Sequence, residues 1–189
     1  LKEIAQNLAK ALTLKSSQSP KGVSDVVKIT DLLFFSTGLI GGEFPSKKII
    51  NRIPELVKKL RTEQNKFVWF KAASALMTTD TRPKVAYEET KIGNKLVKIS
   101  GVAKGSGMIS PNMATMGAMI FTDANIPSVF LKSILKKVTA TTFNSITVDS
   151  DTSTNDSVFL FSTGKVKHGK IYNVLDPKLQ DFEKTLHRL

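Results

Sequence analysis

The chain has 189 residues, enough for a sizeable core, and its hydrophobic share of 41% suits a globular fold. No apolar run is long enough to span a bilayer, and with no Cys the chain can form neither disulfides nor a catalytic thiolate, which fits a reducing compartment. The balance of 28 basic against 16 acidic residues gives +12, a charge that raises nucleic-acid binding, but Lys47-Lys48, Lys58-Lys59, Lys136-Lys137, Lys165, Lys167 and Lys170 fall in separate elements without aromatic partners and read as solvated faces.

Leu1, Ile4, Ala5, Leu8, Ala9 and Leu12 recur at three and four residue steps, which predicts an amphipathic helix over the first dozen residues. This start lacks the basic and then apolar order of a signal peptide, and because it opens on Leu rather than Met a longer N-terminus is expected. Lys15 to Ser24 is polar, carries Pro20 and Gly22, and reads as a loop. Val26 to Phe35, rich in β-branched and aromatic residues, predicts a strand ending at Ser36-Thr37-Gly38. Gly there makes either a plain turn or a place where backbone amides face a ligand. Pro45-Ser46 opens a helix through Ile49, Ile53, Val57 and Leu60, in which Pro54 marks a kink or restart. Phe67 to Met77 predicts a helix packing Phe67, Phe70, Ala73 and Ala75 on a sheet, with Trp69 in the core, and it ends in Thr78-Thr79-Asp80.

Lys84 to Tyr87 and Lys95 to Val102 alternate as a hairpin turning at Ile92-Gly93-Asn94, with Leu96, Val97, Ile99 and Val102 as its buried set. It leads into Lys104-Gly-Ser-Gly107, which is no Walker loop because the Lys precedes the glycines. Ala118 to Phe121 reads as a buried strand. Pro127-Ser128 opens a helix whose apolar face is Val129, Leu131, Ile134, Leu135 and Val138, and Phe143 to Val148 reads as a further strand. Asp149, Asp151, Asn155 and Asp156 offer the oxygens a divalent cation takes, without the spacing of an EF-hand, and equally form a hydrogen-bonded turn that buttresses its neighbours. We assign no metal. Val158 to Phe161 is a short strand, Ser162-Thr-Gly164 a turn, and Asp176-Pro177 opens a last helix carrying Leu179, Phe182 and Leu186. His168 and His187 have no partner at metal or catalytic spacing and read as surface residues.

The chain is organised around Lys104 to Thr115. Thr115 follows a Gly-rich, Pro-containing segment and opens an apolar strand, so its hydroxyl is a candidate nucleophile. A Thr hydroxyl is weak unless a base assists it, and a Thr that begins a chain has its own amine as base. Attack by Thr115 on the Ala114 carbonyl, then hydrolysis of the ester, would free that amine.

The segment Gly107-Met-Ile-Ser-Pro-Asn-Met-Ala-Thr-Met116 resembles the self-processing site of the ornithine acetyltransferase, or bifunctional glutamate N-acetyltransferase, family of arginine biosynthesis, ArgJ. Further stretches resemble it in the same order: Ser36-Thr-Gly-Leu-Ile-Gly41, Ala75-Leu-Met-Thr-Thr-Asp80 with Pro83-Lys84, Phe121-Thr-Asp-Ala124, and Phe143-Asn-Ser-Ile-Thr-Val-Asp-Ser-Asp-Thr-Ser-Thr-Asn-Asp156. The resemblance implies an α+β fold of mixed β-sheets layered with helices, one region over 1–189 that cleaves between Ala114 and Thr115 into an α part, 1–114, and a β part, 115–189. It implies acetyl transfer from N-acetylornithine to glutamate through an acetyl-Thr115 intermediate, with no cofactor beyond acetyl-CoA as a second donor. By the same resemblance Thr37 and Gly38 form the oxyanion hole, Thr78, with Thr79 as fallback, contacts the amino-acid substrate, and Lys104 binds its carboxylate. The cleaved halves would stay together and assemble as two α and two β chains, in the cytoplasm or, in a eukaryote, the mitochondrial matrix. Ser150 stands where the family has Gly and Gly117 where it has Leu, and the family is longer at both ends, so the chain reads as a central fragment. The alternatives are a self-processing N-terminal-Thr amidohydrolase or aminopeptidase, which passes the acyl group to water, and an inactive basic fragment that binds nucleic acid.

Overall fold

A computed structural model describes residues 1–17, 26–36, 41–60, 65–110, 113–114, 116–151 and 156–189. They fall in two units, Leu1–Gln64 and Asn65–Leu189, and their class is the expected α+β. Among the described residues no helix is long and apolar enough to cross a membrane.

In the first unit, α1 (Lys2–Ser17) runs further than its apolar period and takes up the start of the expected loop. Its Ile4 packs with Ile53 and Val57 of α2 (Ser46–Lys59), which continues through Pro54. Lys15 reaches the far end of α2, where Nζ donates to the Val57 and Leu60 carbonyls at 2.8 and 2.6 Å. A cation placed there adds a donor to carbonyls at the helix C-terminus, where Val57 also accepts the Leu60 N–H at 3.2 Å, and complements the helix dipole. The strand expected over Val26 to Phe35 is not observed at its described residues: a 3-10 turn, Ile29–Asp31, sits in irregular chain. Asp31 accepts the Lys28 N–H at 2.9 Å, a local bond that competes with any ladder, and Val26 and Leu33 stay exposed.

In the second unit, Asn65 caps α3 (Lys66–Leu76) by accepting the Phe67 and Val68 N–H groups. Strands β1 (Lys84–Ile92) and β2 (Lys95–Lys104) form the expected hairpin, closed by Gly93-Asn94 with Gly93 at φ +62°. β3 (Ile109–Ser110) and β4 (Met113–Ala114) make a small hairpin of their own. β5 (Gly117–Thr122) pairs antiparallel with β2, and β6 (Ser157–Ser162) lies parallel to β5, so the sheet is mixed, in the order β1-β2-β5-β6. α4 (Ser128–Ala140) makes the crossover to β6, and α5 (Gln180–Arg188) follows a 3-10 turn capped by Asp176.

Side chains alternate across a sheet, so the partners of Ile120 and Phe121 separate its two faces. On the Ile120 side, Val97 and Ile99 pack with Leu131, Ile134 and Val138 of α4 and with Phe182 and Leu186 of α5. On the other side Trp69 of α3 meets Phe121 edge-on, ring centres 5.4 Å apart; Trp69 packs on the sheet as expected but is half-buried rather than enclosed. Five apolar residues expected to pack in this unit are exposed. Phe67, Phe70 and Ala75 point away from the packed side of α3, whose buried contact is Ala73, while Leu96 and Val129 lie on solvent faces of β2 and α4.

Phe143 to Val148 is not a strand: Phe143–Ser145 is a 3-10 turn, and Val148 joins β3 through one backbone bond, its N–H donating to the Ile109 carbonyl at 2.7 Å. A two-residue β3 offers too short an edge to extend that ladder. The histidines are also less free than expected. Nε2 of His168 accepts the Asn125 N–H at 2.9 Å while Nδ1 lies 2.8 Å from the Gly169 carbonyl, which ties its loop to the entry of α4; His187 contacts the Thr141 hydroxyl at 3.1 Å.

Candidate active site

Lys104 ends β2 and Thr78 follows α3, and the fold brings these two expected site residues together: Lys104 Nζ donates to Thr78 Oγ1 at 3.0 Å. Lys104 is only 4% exposed. Among the described residues no carboxylate lies within ion-pair distance of it. A buried ammonium carries three donors, and one hydroxyl acceptor leaves it poorly compensated. The pair is suited to an anion.

Around it the Thr78-Thr79-Asp80 loop is laced to the turn after Lys104. Asp80 Oδ1 accepts the Gly105 N–H at 2.8 Å and a hydrogen bond from Lys84, Asp80 Oδ2 lies 3.4 Å from the Thr78 N, and Ser106 Oγ donates to the Thr79 carbonyl at 3.0 Å. Gly105 has φ +140°, open to Gly and strained for any other residue. Burial pushes the Asp80 carboxyl up, yet the bonds from Lys84, Gly105 and Thr78 outweigh it and hold the carboxyl below its ordinary value of 3.8.

The segment before Thr115 is pinned by the acidic turn. Asp149 accepts the Met108 and Ile109 N–H groups at 2.5 and 2.9 Å, and Ile109 pairs with Ala114 across the β3–β4 hairpin. Beyond Thr115, Asp156 Oδ1 accepts the Met116 N–H at 2.9 Å, and the Met116 carbonyl takes the Ser157 N–H at 3.1 Å. Carboxylates therefore fix the backbone on either side of Thr115. Thr115 itself, and Thr37 and Gly38, lie outside the described residues. Among the described residues no three acidic or imidazole side chains gather as a metal site; Asn155 lies outside them. Asp80 was legible only as the end of a motif, since nothing in a sequence shows that a loop carboxylate will meet an amide 25 residues on.

The amide bonds of Met108 and Ile109 hold the Asp149 carboxyl below 3.8, whereas burial pushes the Asp156 carboxyl up against its bond from Met116. A carboxyl lowered on folding adds stability that is full above its unfolded value and is lost as pH falls through the folded value. Asp80 and Asp149 act in that sense, below 3.8. Asp156 acts in the opposite sense and offsets part of the loss. The unfolding midpoint should therefore drop as pH falls below 3.8, and Asp149→Asn should make that drop shallower in acid denaturation.

Ser150 follows at φ +65°, the left-handed region that Gly adopts freely. That conformation costs a side chain roughly 1–2 kcal/mol, and the greater unfolded freedom of Gly returns about half. Ser150→Gly should raise stability by about 0.5–1 kcal/mol, read as a higher denaturation midpoint with an unchanged slope.

Residues 4–189 match the model of the ArgJ family. The chain is 46% identical over 156 residues to the arginine biosynthesis bifunctional protein ArgJ of Caulobacter vibrioides, covering 82% of this chain and 38% of that protein. To the protein of the same name from Rhizobium meliloti it is 40% identical over 184 residues, 96% of this chain and 43% of that one. The counterpart from Neisseria meningitidis is 45% identical over 160 residues, 84% and 37%. The chain thus spans about two fifths of the length of these relatives.

Proposed function

Because the chain belongs to the ArgJ family, we propose that it carries the nucleophile and the amino-acid site of an acetyltransferase of arginine biosynthesis, moving acetyl from N-acetylornithine to glutamate. Thr115 attacks the Ala114 carbonyl, the peptide shifts to an ester, and water releases residues 1–114 from 115–189. The freed amine of Thr115 then accepts the proton of its own hydroxyl as that oxygen adds to the acetyl carbonyl of N-acetylornithine. Thr37 and Gly38 donate to the oxyanion, a contribution of about 2.7–4 kcal/mol to the barrier. Collapse expels the amine of ornithine with the proton and leaves acetyl on Thr115, and the amine of glutamate takes it in the reverse sequence. Acetyl-CoA delivers the same acetyl group as a second donor. The two pieces stay associated and assemble as two α and two β chains, in the cytoplasm or the mitochondrial matrix.

What supports this reading most is the Lys104 ammonium, buried beside the Thr78 hydroxyl with no carboxylate partner among the described residues. Both substrates carry an α-carboxylate, and a compact ammonium is suited to bind one. The hairpin that ends at Ala114 and the carboxylates on either side of Thr115 add a fixed backbone for the cleavage. The test follows the acetyl group. Incubation with N-acetylornithine must leave acetyl on the peptide that begins at Thr115, glutamate must remove it, and Thr115→Ala must carry none. Acetyl lost to water at the same rate with and without glutamate identifies a hydrolase instead.

A further inference from the structure

We propose that Asp80 is a positioning residue for this site, its carboxylate holding the Lys104-Gly105 turn and the Thr78 loop together so that the Lys104 ammonium and Thr78 hydroxyl stay paired and open to a ligand carboxylate. The inference rests on the amino-acid site read above and adds a residue to it. Three observations carry it. The Asp80 side chain is fully buried, with 0% of it exposed. Among the described residues its hydrogen bonds run to the two segments that bear the site residues and to Lys84: the Gly105 N–H, next to Lys104, the Thr78 N–H, and the Lys84 ammonium. And although it bonds the very next residue, Asp80 makes no ion pair with Lys104; its charge is spent on Lys84, whose own side chain is 48% exposed.

That division of labour has a chemical consequence. A loop carboxylate that turned to Lys104 would neutralise it and compete with the substrate. Saturated by two amides and a second lysine, Asp80 fixes the backbone beneath Lys104 and leaves the ammonium uncompensated. An amide cannot take its place. Whichever way an Asn is turned, its NH2 group meets either the Thr78 N–H or the Gly105 N–H with the Lys84 ammonium, donor against donor.

The test is glutamate binding by calorimetry to the chain, to Lys104→Met, to Asp80→Asn and to Asp176→Asn, with thermal unfolding of each. Asp176 caps the 3-10 turn before α5 and is nearly as buried as Asp80, so its variant reports what lost stability alone does to binding. Positioning predicts that Asp80→Asn weakens glutamate binding about tenfold, the worth of one displaced charge-assisted hydrogen bond, while Asp176→Asn loses stability and keeps its affinity. If Asp80 acts only as a negative charge near the site, its removal strengthens binding of the glutamate anion, and that result overturns the proposal, as does unchanged affinity. If the wild-type chain shows no glutamate binding that depends on Lys104, the functional reading fails. Positioning is then decided by amine modification: an N-hydroxysuccinimide ester should label Lys104 slowly in the wild type and several-fold faster in Asp80→Asn, and equal rates overturn it.

Discussion

Replacing Lys104 with Met is expected to abolish measurable glutamate binding and at the same time to leave the fold as stable as before or more so. The two effects have one cause. Lys104 is 4% exposed and among the described residues donates to a single hydroxyl, so the unliganded protein bears the cost of a buried, poorly compensated charge. Met has nearly the same length, fills the same space and removes that cost. In the complex the ammonium meets the ligand carboxylate, and deleting one member of a buried charge pair costs about 2–5 kcal/mol, a loss of roughly 30-fold or more in affinity. Opposite signs for stability and binding mark a residue kept for function. A Lys104→Met protein that binds glutamate normally, or that melts early, would show that this ammonium is structural.

The largest loss of stability is expected from Phe182→Ala. Phe182 has 0% exposure and joins α5 to the cluster of Ile92, Val97, Ile99, Leu131 and Ile134 beneath the sheet. Truncating a fully packed Phe costs about 3–5 kcal/mol, a large part of the roughly 5–15 kcal/mol that holds a domain folded. Melting should fall by roughly 10–20 °C. Phe67→Ala and Phe70→Ala on α3, at 68% and 55% exposure, should stay within about 0.5 kcal/mol of the wild type, although periodicity alone places all three residues in the core.

That contrast shows where the sequence is informative. Helices α1, α2, α4 and α5 and the β1–β2 hairpin were legible because each buries one face against a neighbour, and burial writes a period of 3.6 or 2 into the residues. Composition without a partner misleads. Val26 to Phe35 and Phe143 to Val148 have strand-like residues, but a strand exists only with an edge to pair with, and those segments instead spend bonds on Asp31 and on the two-residue β3. β3 and β4 are themselves too short to leave a pattern. At the site, residue type singled out Thr115 and the acidic turn, whereas Lys104 and Thr78 came from the resemblance to the family; their 3.0 Å contact and the role of Asp80 are matters of tertiary placement.

The account turns on Thr115, and the intact mass of the purified chain beside Thr115→Ala tests it most directly. The native protein should split into residues 1–114 and 115–189 while the variant stays whole, because only a hydroxyl at that position can carry the peptide to an ester. A native chain that stays whole would contradict the account. So would a Thr115→Ala chain that splits at the same bond.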